Sequence, residues 1–171
     1  MINSVKTNLI VSDSRGAWFR ATILFILALI GTVGMWSVVV FIPDIEKEFG
    51  LDRGTSSLLY AFTMIGFGFG TVVIGKVYDK FGIKKPILLA TFVLITSYYF
   101  YSIFPFYWQF LILQFFMGFA ASAFFGPAMA DISNFFNKQR GFALSIVASA
   151  NYVAGATWPL LIGYFLTFID W

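Results

Sequence analysis

The residues whose types and spacing could do chemistry gather in one short stretch, Gly75-Lys76-Val77-Tyr78-Asp79-Lys80-Phe81-Gly82-Ile83-Lys84-Lys85. It lies between two long uncharged apolar runs, residues 54–75 and 86–104. A carboxylate set among ammonium groups at an aqueous boundary can make and break ion pairs cheaply, because exposed pairs are worth only about 0–1 kcal/mol each. A glycine at each end allows a sharp turn and close backbone approach. On composition alone the stretch is a positively charged loop joining two membrane spans.

No set of residues for bond-making chemistry accompanies it. The 171 residues contain no cysteine and no histidine, which excludes disulfides, Cys/His metal sites and histidine-based triads within this chain. No cofactor and no metal are implied. Gly66-Phe67-Gly68-Phe69-Gly70 imitates a phosphate-binding loop in letters only, because it lies inside an apolar run. Charge at a bilayer centre costs about 2.5–3.5 kcal/mol, so an ionisable group there would read as functional. None falls at mid-depth, and Asp131, at the inner end of the fourth apolar run, is the nearest approach. An intramembrane aspartyl protease would need two embedded aspartates. The chain reads as a non-enzyme.

The elements that must position these residues are set by composition. The chain is 60% hydrophobic and 11% charged, against about 25% charged in soluble domains. It reads as an all-α integral membrane protein. A helix needs about 20 apolar residues to cross the hydrocarbon core. The apolar runs give five spans, 21–42, 54–75, 86–104, 106–130 and 141–169, with Pro105 dividing the long run 86–130. Residues 1–20 read as a cytoplasmic arm, with Lys6, Arg15 and Arg20 against Asp13. The first run is too long for a signal peptide and has no convincing cleavage site.

Basic residues set orientation. Lys6, Arg15, Arg20, Lys76, Lys80, Lys84, Lys85, Lys138 and Arg140 fall on one side, and only Lys47 and Arg53 on the other. That bias places the N-terminus in the cytoplasm of a multi-pass protein, with the plasma (inner) membrane as the expected location. The net charge of +3 is spread over short loops and is not a nucleic-acid footprint. The lipid bilayer is the expected partner.

Small residues at four-residue spacing mark packing faces: Gly66 and Gly70; Gly118, Ser122 and Gly126; Ser145 and Ser149, with Ala148, Asn151 and Gly155 nearby. Such seams serve either static packing or sliding between conformations. Pro159 is expected to bend the last span. Thr32, Trp36, Gln114, Asn151 and Tyr152 are polar or aromatic positions that could line a cavity. Asn151, in lipid, must find a partner or face water.

The spacing G-x-x-x-D-K-x-G-x-K-K in residues 75–85 resembles the signature loop joining the second and third helices of major facilitator superfamily transporters. The resemblance implies that Gly75, Asp79, Lys80, Gly82, Lys84 and Lys85 belong to a cytoplasmic gate. Asp131 stands where the family often has an acid paired with this loop. Residues 135–150 resemble the entry to the fifth helix in monocarboxylate-porter and oxalate–formate-antiporter-like members. Phe135, Phe136, Lys138, Arg140 and Ala143 match that entry, while Gln139, Phe142 and Ser145 depart from it. Residues 13–18 match the first-helix signature of that subfamily poorly, and residues 151–159 resemble its fifth-helix glycine-proline motif loosely. Gln114 replaces an arginine common in proton-driven members.

What the resemblance implies is secondary active transport of a small solute, a monocarboxylate or other organic anion, by alternating access. A co-transported proton or a counter-anion would accompany it. The five spans would be an incomplete N-terminal six-helix half, truncated before its sixth helix and lacking the C-terminal half. The competing reading is a non-transporting polytopic protein that serves as an assembly partner or scaffold.

Overall fold

The computed structural model describes residues 12–103 and 105–168. Lys6 and most of the expected N-terminal arm, Phe104 at the end of the expected third span, and residues 169–171 lie outside the described residues. The described chain is all-helical: α1 (Arg15–Gly31), α2 (Val33–Phe49), α3 (Arg53–Phe81), α4 (Lys84–Tyr101), α5 (Tyr107–Ser133) and α6 (Arg140–Leu166).

The helices begin and end where local chemistry dictates. Ser14 caps α1 by accepting the Ala17 amide at 3.3 Å. Gly50, at φ 62°, closes α2 in the left-handed region that glycine enters without a Cβ clash. Asp52 caps α3, its carboxylate accepting the Gly54 and Thr55 amides at 2.8 and 3.1 Å and the Thr55 hydroxyl at 2.6 Å. Pro105 sits between α4 and α5, consistent with its role as the divider of the long apolar run.

Two boundaries differ in kind from the sequence expectation. The first span is one 35-residue apolar stretch that breaks at Thr32 into α1 and α2. The second span continues through Lys76, Tyr78, Asp79 and Lys80 as helix, so the stretch 75–85 is mostly helical and the turn itself is Gly82-Ile83. Gly82 makes this possible with φ 72°, its amide donating to Tyr78 O at 2.7 Å.

Among the described residues, four stretches are long and apolar enough to cross a membrane: Arg15–Phe49, Arg53–Phe81, Tyr107–Ser133 and Arg140–Leu166. The 18-residue α4 begins with Lys84 and Lys85 and ends among tyrosines, which dilutes its apolar character. It nevertheless lies antiparallel along α5, with the Tyr101 ring tilted against Phe110 at one end and Ala90 clustered with Ala123 toward the other.

The hub is α5, which contacts every other helix. Its seam with α3 is the tightest in the molecule. A Cβ built on Gly118 would stand 1.9 Å from Thr63 O, and one on Gly66 would stand 2.0 Å from Phe115 O. Only glycine permits this backbone-to-backbone approach, the main route to close packing where lipid supplies no hydrophobic drive. The two helices run parallel: Tyr107 OH donates to Thr55 O at one end, Thr63 meets Gln114 midway, and Ser122 lies beside Gly70 further on. Away from these seams, Leu88, Phe92 and Ile95 of α4 and Ile65, Phe69 and Val72 of α3 are exposed, as a bilayer-facing surface requires.

Candidate functional site at the charged end of the bundle

The basic end is built around one ion pair. Ala17 and Ala21 of α1 pack in a common cluster with Ala128, Ile132, Ala143 and Val147. Small residues on all three helices bring α1 close enough for Arg20 to reach α5. Its guanidinium grips Asp131 with two bonds, Nε to Oδ2 at 2.5 Å and Nη2 to Oδ1 at 2.8 Å. The same guanidinium lies 4.5 Å from the centre of the Phe135 ring. Asp131 is 6% exposed, and this fork geometry satisfies both its oxygens. The acid's partner within the described residues is therefore Arg20, not the lysines of residues 75–85.

A second anchor fastens the segment before α1 to the loop before α6. Asp13 adopts φ 57°, donates its amide to Phe135 O at 3.1 Å, and accepts the amides of Asn137, Lys138 and Gln139 at 3.3, 3.1 and 3.1 Å. Desolvation opposes ionisation of this carboxyl, but the three amides and the Lys138 charge outweigh it and hold Asp13 below the usual carboxylate range. Trp18 packs edge-on against Phe136 and Phe142, with ring centres 4.8 and 5.9 Å apart. Residues 13–18 and 135–142, read separately in the sequence, thus dock on each other.

The remaining charged candidates face outward. Asp79 and Lys80 occupy the last turn of α3, Lys84 and Lys85 the first turn of α4, and Arg140 the start of α6; all are exposed. None of them forms an ion pair among the described residues. Lys80 and Lys85 both turn toward Phe81, with ammonium-to-ring distances of 5.2 and 4.0 Å. A Cβ at Gly75 would meet nothing within 4 Å, so no close packing demands glycine there.

The five cavity candidates separate. Trp36 donates its indole N–H to Asn151 Oδ1 at 3.2 Å, and Gly155 lies beneath the Trp36 ring. Thr32 is fully buried at the break in the first span, its hydroxyl donating to Ala28 O at 2.8 Å. Tyr152 points outward and is 75% exposed. Gln114 is buried between α3 and α4, accepting from the Thr63 hydroxyl at 2.8 Å and donating to Tyr101 OH at 2.7 Å. It is the one candidate among the five that borders the cavity of about 750 Å³ lined by Ser37, Phe41, Tyr98, Tyr101 and Phe110.

Sequence reasoning missed Arg20, assigned to a solvated arm, and Trp158. In an unbroken helix Leu29 O would accept the Val33 amide. At the break it accepts the Trp158 indole N–H at 2.7 Å instead, while the Met35 amide turns to Thr32 O at 3.1 Å. A tryptophan one position before a proline on the last span was the available signal.

Comparison with known proteins agrees with this architecture. A family model described as Major Facilitator Superfamily matches residues 24–171. Similar proteins include the MFS transporter asaE of Aspergillus flavus, 31% identical over 105 residues, which is 61% of this chain and 23% of that protein. The Agnestins efflux protein AgnL12 of Paecilomyces divaricatus is 28% identical over 127 residues, 71% of this chain and 29% of that protein. The Fujikurins efflux protein of Gibberella fujikuroi is 32% identical over 97 residues, 56% of this chain and 21% of that protein. The chain spans roughly a quarter to a third of the length of the first of these curated relatives it matches. With a family match running from the first span onward and several helices long and apolar enough to cross a bilayer, this multi-pass membrane chain belongs to the major facilitator superfamily.

Proposed function

We infer that the chain forms the N-terminal part of a secondary transporter that moves a small organic solute by alternating access. One observation carries this reading: Asp79, Lys80, Lys84 and Lys85 stand exposed at the basic end, making no ion pair among the described residues. Charges left unpaired by their own half are available to a second half when the two close together on that side. Asp131 drops out of this gate, because Arg20 holds it. Arg140 stands with the unpaired group.

The packing supports an inverted repeat of three helices. α3 lies along α5 as α6 lies along α1. α4 also lies along α5, and the same repeat would lay a sixth helix along the first span. A C-terminal half would complete the path. We place the N-terminus on the cytoplasmic side of the plasma membrane, following the Lys/Arg bias.

Two relatives are named as efflux proteins, which favours export of a small organic product over uptake. The organic-anion form of the reading, monocarboxylates included, rests on residues 135–150. Among the described residues no charged side chain falls at mid-depth in the apolar runs, so the other half would supply the positive charge and any proton-titrating group or counter-anion site. The test is Asp79→Asn in the complete transporter, assayed by solute flux in sealed vesicles. Loss of flux with normal membrane insertion supports the gate; undiminished flux defeats it.

A further inference from the structure

We propose that the cavity between α2, α4, α5 and the last turns of α6 binds an amphipathic organic amine, its ammonium group at Glu48 and a carbonyl or ether oxygen at Tyr101. The cavity holds about 750 Å³, within the range of about 300–1,000 Å³ that small-molecule sites occupy. Its polar groups fall at separate places. Glu48 stands exposed near the end of α2 and makes no ion pair among the described residues. No cationic side chain lines the cavity to balance it. Tyr101, on α4, accepts the Gln114 amide at 2.7 Å, and Gln114 is itself held by the Thr63 hydroxyl at 2.8 Å. A phenol carries one donor as well as its acceptor sites. With Gln114 already donating to it, Tyr101 keeps its hydrogen for an acceptor in the cavity.

An aromatic wall joins the two groups. Phe49, next to Glu48, has its ring centre 5.7 Å from that of Phe110, and Phe110 lies 4.7 Å from Tyr101. Ile162, Phe165 and Leu166 of α6 supply apolar surface to the same cavity. These side chains suit an apolar body, and a ring face close to an ammonium group adds to the attraction of Glu48. A carboxylate in the same place would meet Glu48 with no cation beside it, and like-charge contact of that kind rejects a ligand. The charge and the spare donor therefore select an amine that also carries an acceptor oxygen. The site rests on this cavity alone and stands whether or not the protein transports anything.

The experiment is isothermal titration calorimetry of the detergent-purified protein, with titration into detergent alone as the blank. The probes share one skeleton: para-acetylphenylbutylamine; para-acetylphenylvalerate, with a carboxylate in place of the ammonium; and para-ethylphenylbutylamine, without the carbonyl. Wild type is expected to bind the acetyl amine most tightly. E48Q should weaken that binding about fivefold, the upper end for an exposed ion pair, and remove the preference for amine over carboxylate. D44N, which removes an acid from the same helix but outside the cavity lining, should bind as wild type does. Loss of the carbonyl should weaken binding to wild type about fivefold, the worth of one hydrogen bond, and make no difference to Y101F. Equal binding of amine and carboxylate by wild type would overturn the charge selection. Equal losses in D44N and E48Q would overturn the site in favour of a diffuse acidic field. A carbonyl effect undiminished in Y101F would overturn the placement at Tyr101, and absence of saturable binding would overturn the site outright; circular dichroism checks that each variant is folded.

Discussion

Arg20 and Asp131, 111 positions apart in sequence, meet through two hydrogen bonds of 2.5 and 2.8 Å and tie the first helix to the hub of the bundle. Breaking a buried pair from one side leaves an uncompensated charge, at about 3–5 kcal/mol when both partners are fully desolvated. The Arg20 side chain keeps 34% exposure, so solvent reduces that penalty. Asp131→Asn is expected to cost about 1–3 kcal/mol in unfolding measured in detergent. Replacing both residues together, Arg20→Met with Asp131→Leu, should recover most of the loss.

The α3–α5 seam gives a second expectation. Gly118→Ala puts a methyl group where Thr63 O already stands, and neither backbone can yield without moving the helix. The expected cost is about 1–3 kcal/mol or more from overpacking. Gly126→Ala, on the same helix with open space at its Cβ, should be close to neutral. Equal thermal midpoints for the two variants would contradict the close approach.

Stability should fall at acid pH through two carboxylates outside the spans. Asp52 is held below the ordinary value of 3.8, chiefly by the Thr55 hydroxyl and amide, and Asp13 is also held below it. A depressed folded-state value means that the unfolded chain takes up protons first. The stabilisation is present above about pH 4 and is lost as pH falls through the folded-state values. Melting curves between pH 6 and pH 3 check this, and Asp13→Asn combined with Asp52→Asn should flatten the dependence.

The break in the first span gives the fourth. Trp158→Phe keeps the ring but removes the donor to Leu29 O. Losing this hydrogen bond at a part-buried carbonyl should cost about 0.5–1.5 kcal/mol. Amide exchange around residues 29–35 should quicken while exchange in α5 stays as in wild type. Unaltered exchange at the break would show that the indole bond does not hold it.

The long apolar helices around residues 54–75 and 106–130 were legible because a bilayer demands contiguous apolar length, whereas the expected third span, 86–104, is not among the stretches long and apolar enough to cross. The break at Thr32 was not legible, since Gly31, Thr32, Val33 and Gly34 are as apolar or small as their neighbours and the Trp158 donor that takes Leu29 O lies 129 positions away. The basic stretch read as a loop from its glycines and charges. The structure carries helix α3 on for 29 residues, about 44 Å at 1.5 Å per residue, so its last turns extend beyond the hydrocarbon core. Gln114 was read as a cavity-lining candidate, yet its partners Thr63 and Tyr101 lie on two other helices and could not be named from local pattern. The Arg20–Asp131 pair escaped for the same reason.

The hub position of α5 has a consequence for synthesis. α1, α2, α3 and α4 leave the ribosome before the helix that most of them pack against, and the glycine faces of Gly66 and Gly70 then have no backbone to meet. Until residues 107–133 enter the bilayer, the early helices form a loose set whose small-residue grooves face lipid. Arrival of α5 is therefore the step that converts inserted segments into a fold, and a nascent chain arrested before it would present those open grooves to the cell's membrane quality control.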